Sequence, residues 1–231
     1  MPAEFENKVV LISGANGNLG QGVVEAFRAA GAKLALLERG AELSKGEREM
    51  LVSADVTDLA SMQAAVEAVA AHFGQIDAFV HTVGGYAAGK PVHELDLQTW
   101  DKMMALNARA VFIACGCVAQ NMVTQGMKGS IVVVLARAAL KGSKNHAAYA
   151  ASKAAAQRIV ESMAAELLDA GIRVNAVLPG TIDTPPNREA MPNADFDKWV
   201  RPEQIANAIL YLASDASSAT SGDSLTVYGR S

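Results

Sequence analysis

The run Val9–Val10–Leu11–Ile12–Ser13–Gly14–Ala15–Asn16–Gly17–Asn18–Leu19–Gly20 decides how the rest of the chain is read. Its first four residues are apolar and mostly β-branched, the pattern of a short buried strand. A helical pattern follows from about Gln21 to Ala30 and stops at Gly31. Strand, glycine-rich turn and helix in that order make a phosphate cradle. The glycines let backbone approach a ligand, and the helix N-terminus presents N–H groups with no partner inside the helix. With these flanks, the loop favours nucleotide binding over a simple tight turn.

The same alternation continues downstream. Leu34–Ala35–Leu36–Leu37 reads as a second strand ending at Glu38. An acid at that tip accepts hydrogen bonds from both adenosine ribose hydroxyls and repels a 2′-phosphate, which points to NAD. Arg39 follows at once and offers a partner to that phosphate, so NADP stays open. Gly40 to Met50 is polar and too short for a full crossover helix. Met50–Ser53 is the third strand, closing on Asp55–Val56–Thr57, and Asp58 caps a helix that runs to about Phe73 before Gly74. Ala78–His81 is the fourth strand, leading to Thr82–Val83–Gly84–Gly85–Tyr86. His81 reads as a hydrogen-bonded histidine at a strand end.

Asp96 to about Gln125 is helical in pattern. Its apolar residues, among them Met103, Met104, Leu106, Val111, Phe112 and Ile113, read as core or helix contact. Asn107 lies among them, and a buried amide needs partners. It is either a structural hub or part of a proton relay. Ile131–Leu135 is the fifth strand, and the sixth runs from Ile172 to Leu178 and ends at Pro179–Gly180. Thr181 to Trp199 has prolines and no clear period. Pro202 opens a last helix, and Ser224–Val227 is a final strand. The alternation predicts one α/β domain over residues 1–231, a Rossmann-type doubly wound parallel sheet of about seven strands. In such sheets ligands bind at the C-terminal ends of the strands. Gly14–Gly20, Glu38, Asp55, Gly84 and Pro179–Thr184 all fall there.

A second stretch carries the chemistry. Tyr149–Ala150–Ala151–Ser152–Lys153 sits in an alanine-rich helical run that ends at Gly171. Residues four apart share a helix face, so Tyr149 and Lys153 point the same way. A neighbouring ammonium favours the phenolate and is expected to draw the Tyr149 pKa down, which suits a phenol to proton transfer.

Composition sets outer bounds. A chain of 231 residues buries one sizeable core. A net charge of −4 gives no basic face for nucleic acid. No run of consecutive apolar residues approaches the roughly 18 that span a bilayer, so no membrane role is expected. The stretch Met1 to Asn7 lacks the basic and apolar regions of a signal peptide. Cys115 and Cys117, with only Gly116 between them, make neither a disulfide framework nor a metal site. They read as buried thiols in a reducing cytoplasm.

Over essentially its whole length the chain resembles the short-chain dehydrogenase/reductase family. Gly14, Asn16, Asn18, Leu19 and Gly20 resemble its cofactor loop, with Asn18 where a middle glycine is usual. Asparagine tolerates positive φ, so the turn is expected to survive. The resemblance makes Glu38 the NAD-selecting acid, with Arg39 beside it, and Asp55–Val56 the adenine contact. His81–Thr82–Val83–Gly84 stands where Asn-Asn-Ala-Gly is usual. Asn107 matches the relay asparagine, Tyr149 and Lys153 the catalytic pair, and Pro179–Gly180 with Ile182–Asp183–Thr184 the nicotinamide clamp. A homodimer or homotetramer acting on a small molecule is implied, through the face of the Tyr149 helix and the helix around Asn107.

One departure bears on the substrate. The family's catalytic serine lies thirteen residues before the tyrosine, where this chain has Ala136. Losing a donor aimed at a developing oxyanion commonly costs about 100-fold or more. The dihydropteridine reductase branch keeps tyrosine and lysine and lacks the serine. Gly84–Gly89, Leu135–Leu140 and Asp183–Phe196 resemble that branch. The resemblance therefore implies NADH-dependent reduction of a quinonoid dihydropterin, with a substrate loop at about 183–200 and Tyr86 or Trp199 stacking on the pterin. Two alternatives stand beside it. One is an alcohol or ketone dehydrogenase in which Ser143 or Thr82 replaces the serine. The other is a non-catalytic NAD-binding sensor or scaffold.

Overall fold

β1 (Val9–Ser13) is buried along its whole length, which explains why it shows no polar alternation. In the computed structural model, which describes residues 4–230, β1 lies inside an eight-stranded sheet. Its other members are β2 (Lys33–Glu38), β3 (Ser44–Lys45), β4 (Glu49–Ser53), β5 (Ala78–His81), β6 (Gly129–Val134), β7 (Ile172–Pro179) and β8 (Ser224–Val227). The order across the sheet is β3-β4-β2-β1-β5-β6-β7-β8, with every pair parallel except β3 on β4. The chain winds one way from β1 to β2 and β4, and the other way from β5 onward. The switch point therefore falls between β1 and β5, where Ser13 pairs with both Leu37 and His81.

Helices cover both faces. α2 (Leu59–Phe73), α4 (Ala110–Thr124) and α5 (Ala147–Glu166) pack on Leu11, Phe79, Ile131 and Val133. α1 (Asn18–Ala29) and α7 (Pro202–Ala213) pack on Val10, Ile12, Val80 and Val132. Alternate residues of each strand thus feed opposite cores, as a two-faced sheet requires. The predicted punctuation is present. Asp58 accepts a hydrogen bond from Ser61 N at the start of α2, and Gly74 closes that helix at φ 86°.

Several boundaries differ from expectation. The extra strand is β3, a two-residue antiparallel edge inside the polar Gly40–Met50 connection, which indeed holds no crossover helix. α1 starts at Asn18, before Gln21, so Asn18 is helical. Among the described residues other than glycine, only Asn7 and Asn145 have positive φ, so the expected left-handed Asn18 is corrected. The Thr181–Trp199 segment contains a short helix, α6 (Pro185–Ala190), started by two prolines at its first turn.

The Asp96–Gln125 helix is a rod of three pieces: α3 (Leu97–Met103), a π-turn (Met104–Arg109) and α4. Leu97–Thr124 is by length and mean hydropathy alone apolar enough to cross a membrane, although it holds no unbroken apolar run of that length. It lies instead along the sheet, with 56% of its most apolar window buried in the protein.

Candidate active site

The loop after β1 is shaped by close approach. Gly14 takes φ 73°, and its N–H donates to Leu37 O. A Cβ on Gly20 would lie 1.9 Å from Gly14 O, so only glycine lets α1 come so near the loop. The α1 N-cap, Gly17, offers no side-chain cap. The N–H groups of Asn18, Leu19 and Gly20 in the first turn are therefore not satisfied by a cap, the arrangement that suits a pyrophosphate.

Glu38 at the tip of β2 holds this loop. Its Oε1 accepts from Asn16 N at 2.5 Å, so one carboxylate oxygen is already tied to the cradle. Arg39 is exposed just beyond. Across the next strand, Asp55 accepts from Thr57 N and Thr57 Oγ1 at 2.9 and 2.6 Å. Those two bonds, with the charge of Arg39, hold its carboxyl below the usual range. Val56 beside it is buried.

At the end of β5 the main chain passes against the helices. Asn107, in the π-turn, is 1% exposed. Its Oδ1 accepts from Gly85 N at 2.9 Å, while Nδ2 donates to Gly85 O and to Ser152 Oγ, each at 3.0 Å. Ser152 Oγ in turn donates to Tyr149 O. Asn107 is thus a hub joining the Gly84–Gly85 turn to α5. Lys153, 5% exposed, donates to Val134 O at 3.2 Å. A Cβ on Gly84 would meet Asn107 Oδ1 at 2.9 Å and Lys153 Nζ at 3.0 Å, so Gly84 has to be glycine for the three to converge. Val83 packs partly buried against the core beside it.

Burial governs the titration of the pair on α5. The Tyr149 phenol is pushed up to about 12, by burial first and by the neighbouring Tyr86 phenol second. Burial brings Lys153 down to about 8. The expected lowering of Tyr149 by Lys153 is therefore overturned. Desolvation penalises both charged forms, and the Lys153 ammonium turns to a backbone carbonyl.

On the far side of the crevice, Pro179 ends β7 and Gly180 N donates to Val227 O. Ile182 bridges to Val200. Thr184 is 8% exposed and begins α6, whose Arg188 forms a two-pronged ion pair with Asp183. Asn187 Nδ2 donates to Ile182 O and braces the same turn.

A family model described as "Enoyl-(Acyl carrier protein) reductase" matches residues 14–229. The D-threitol dehydrogenase of Mycolicibacterium smegmatis is 34% identical, over 97% of this chain and 93% of its own length. The chain belongs to the short-chain dehydrogenase/reductase family. The cis-4-hydroxycyclohexanecarboxylate dehydrogenase of Sinomonas cyclohexanicum is 32% identical, with 99% of this chain and 98% of the relative covered. A solved short-chain dehydrogenase/reductase from Mycobacterium ulcerans superposes with a TM-score of 0.89 at 27% identity, covering 98% of this chain and 90% of that one.

Membership makes this chain an NAD(P)-dependent oxidoreductase, and its departures from the family pattern can be placed. Ala136 follows β6 with extended backbone and brings no hydroxyl. Thr82 does not replace the missing serine, because its Oγ1 donates to Ser13 O at 2.7 Å and reaches Gly14 O at 3.2 Å. Ser143 is exposed in the loop before α5. His81 is fully buried, with Nδ1 2.9 Å from Ser13 Oγ and Nε2 without a partner among the described residues. Burial, then the Lys153 charge, pulls its pKa to about 3, so it stays neutral. The His146 contact escaped the sequence reading. Tyr86 lies edge-on to Tyr149, with ring centres 4.9 Å apart, and its Oη is 3.0 Å from His146 Nε2. Trp199 is buried, against Phe196.

Proposed function

We propose that this chain is an NAD-dependent reductase and dehydrogenase that interconverts a secondary alcohol and its carbonyl on a small molecule, with Tyr149 as the proton-transfer group. The observation that carries this reading is the convergence of Tyr149, Lys153, Asn107 and Gly84 at the switch point beside the Gly14–Gly20 cradle. The cradle fits a dinucleotide, since glycine lines its close approaches and α1 has no side-chain cap. Gly14, Asn16, Asn18, Leu19 and Gly20 would hold the pyrophosphate. Glu38 would take the adenosine ribose, and Asp55 and Val56 would flank the adenine. Val83, Gly84, Pro179, Gly180, Ile182 and Thr184 would bound the nicotinamide, and Lys153 its ribose. When bound, that group gives or accepts the hydride.

The chain's own part is the proton. With its pKa at about 12, Tyr149 keeps its proton at neutral pH and stands as the acid for carbonyl reduction. Alcohol oxidation runs the same transfer backwards and gains as pH rises. Lys153 and Asn107 fix the geometry around it, and the Asp183–Trp199 segment forms the substrate loop of one domain. The relatives' names, a tetritol and a hydroxycyclohexane dehydrogenase, support an alcohol substrate. Reduction of a quinonoid dihydropterin is a second reading, favoured by Ala136, because the group reduced there is a conjugated imine-like system and not a carbonyl for a serine to hold. We place the enzyme in the cytoplasm as a homo-oligomer. Leu59, Phe112 and Val123 are exposed around an apolar groove between α4 and α5, a face suited to a second copy.

The test is oxidation of NADH and NADPH by the purified chain with a ketone panel and with quinonoid dihydropterin, repeated on Tyr149→Phe. Ketone turnover with NADH, lowered at least about 100-fold in Tyr149→Phe with NADH binding intact, supports the first reading. Pterin turnover alone moves the assignment to the second. Turnover undiminished in Tyr149→Phe removes the proposed acid.

A further inference from the structure

Tyr86 enters the scheme above only through the pKa of Tyr149, and His146 not at all, yet Tyr86 sits against the reacting group with His146 bonded to it. The Tyr86 ring lies edge-on to Tyr149 at 4.9 Å, and its hydroxyl is 3.0 Å from His146 Nε2. The other ring nitrogen of His146, Nδ1, lies 2.7 Å from Lys144 O. A carbonyl oxygen only accepts, so Nδ1 carries a hydrogen. A neutral imidazole has one N–H, so Nε2 is the acceptor, and the Tyr86 hydroxyl donates to it. The hydrogen of Tyr86 is thereby spent on His146. What its oxygen offers a ligand is lone pairs. Tyr86 is therefore no substitute for the missing serine, whose task was to donate to the substrate oxygen.

Resting on the alcohol–carbonyl reading above, we propose that Tyr86, held by His146, selects substrates with a hydroxyl on the carbon next to the reacting one: vicinal diols and α-hydroxy ketones. Tyr149 exchanges a proton with the reacting oxygen. Tyr86 Oη, on the adjoining ring, accepts from the neighbouring hydroxyl. Tyr86 is 66% exposed, and the residues that flank it, Gly85, Ala87, Ala88 and Gly89, are small. His146 acts through Tyr86 and is a positioning residue. The oxidation balances as for any alcohol. The C–H hydrogen leaves with its electron pair to the oxidised dinucleotide, the O–H proton goes to the Tyr149 phenolate, and the neighbouring hydroxyl is unchanged.

The experiment compares 2,3-butanediol with 2-butanol, and trans-1,2-cyclohexanediol with cyclohexanol, as kcat/KM with NAD in the full-length protein. The wild type is expected to prefer each diol. In Tyr86→Phe, which keeps the ring against Tyr149, the ratio of diol to mono-alcohol kcat/KM falls about tenfold, the worth of one hydrogen bond, whatever common change the loss of the Tyr86 phenol makes to Tyr149. His146→Phe is expected to weaken the preference in the same direction. ¹⁵N NMR of the His146 ring at neutral pH gives a readout independent of turnover, and Nδ1–H with an accepting Nε2 is expected. Equal losses on diols and mono-alcohols, an unchanged preference in Tyr86→Phe, or the opposite tautomer overturns the selection by Tyr86 and leaves the dehydrogenase reading standing. If wild type turns over none of the four alcohols, the alcohol reading fails and the selection falls with it.

Discussion

Replacing Lys153 with methionine is expected to make the protein more stable while removing its activity. Lys153 is 5% exposed, and burial brings its pKa from 10.5 to about 8. At 1.36 kcal/mol per pKa unit, that gap means the folded state bears roughly 3 kcal/mol for keeping the charge. Its bond to Val134 O, at 3.2 Å, returns about 1 kcal/mol. Methionine has similar length and no charge, so Lys153→Met gains about 2 kcal/mol. That is a rise of roughly 4–8 °C in Tm for a chain of this size. The gain depends on pH with a definite sign. Below pH 8, Lys153 is protonated in both states, and the full penalty is present. Between pH 8 and 10.5 the folded state releases its proton while the unfolded chain retains it, so wild-type stability rises with pH. Above 10.5 both states are neutral, and the variant keeps only the loss of the hydrogen bond. Urea unfolding of both proteins at pH 6.5 and at pH 10.5, without dinucleotide, measures the difference. A variant less stable than wild type at pH 6.5, or an equal gain at both pH values, would refute the argument that burial rather than pairing governs this lysine.

Three further substitutions separate structural from chemical roles. Gly84→Ala puts a Cβ within about 3 Å of Asn107 Oδ1 and Lys153 Nζ, and is expected to lower kcat/KM roughly 10- to 100-fold by displacing them. Asn107→Ala removes the hub between the Gly85 main chain and Ser152, and is expected to cost about 2–4 kcal/mol in urea unfolding as well as activity. Thr82→Val removes a bond to Ser13 O, costs about 1 kcal/mol, and is expected to leave kcat unchanged. A loss of kcat beyond tenfold would return Thr82 to the list of substitutes for the serine.

What was legible in the sequence is what local spacing encodes. Apolar runs gave the strands. The order of strand, glycine loop and helix gave the cradle, and a four-residue interval put Tyr149 and Lys153 on one face. Features made by distant residues were not legible. Tyr86 and His146 are 60 residues apart, and nothing near either announces their bond. Asn107 was read as a hub or a relay, and its side-chain bonds to Gly85 and Ser152 show the hub, while the π-turn that carries it had no local signal. Asn18 needs no glycine-like freedom, because α1 already begins there and a helical residue suffices. Tyr149 shows the limit of spacing most clearly. Spacing predicts that a lysine shares its helix face, and from that alone a lowered pKa follows. Spacing says nothing about how much water remains. With both side chains largely out of solvent, desolvation moves the phenol up and the ammonium down. The same burial carries the phenol further from ionising than its ordinary value, so the environment that defeats the electrostatic expectation leaves Tyr149 holding its proton well above neutral pH.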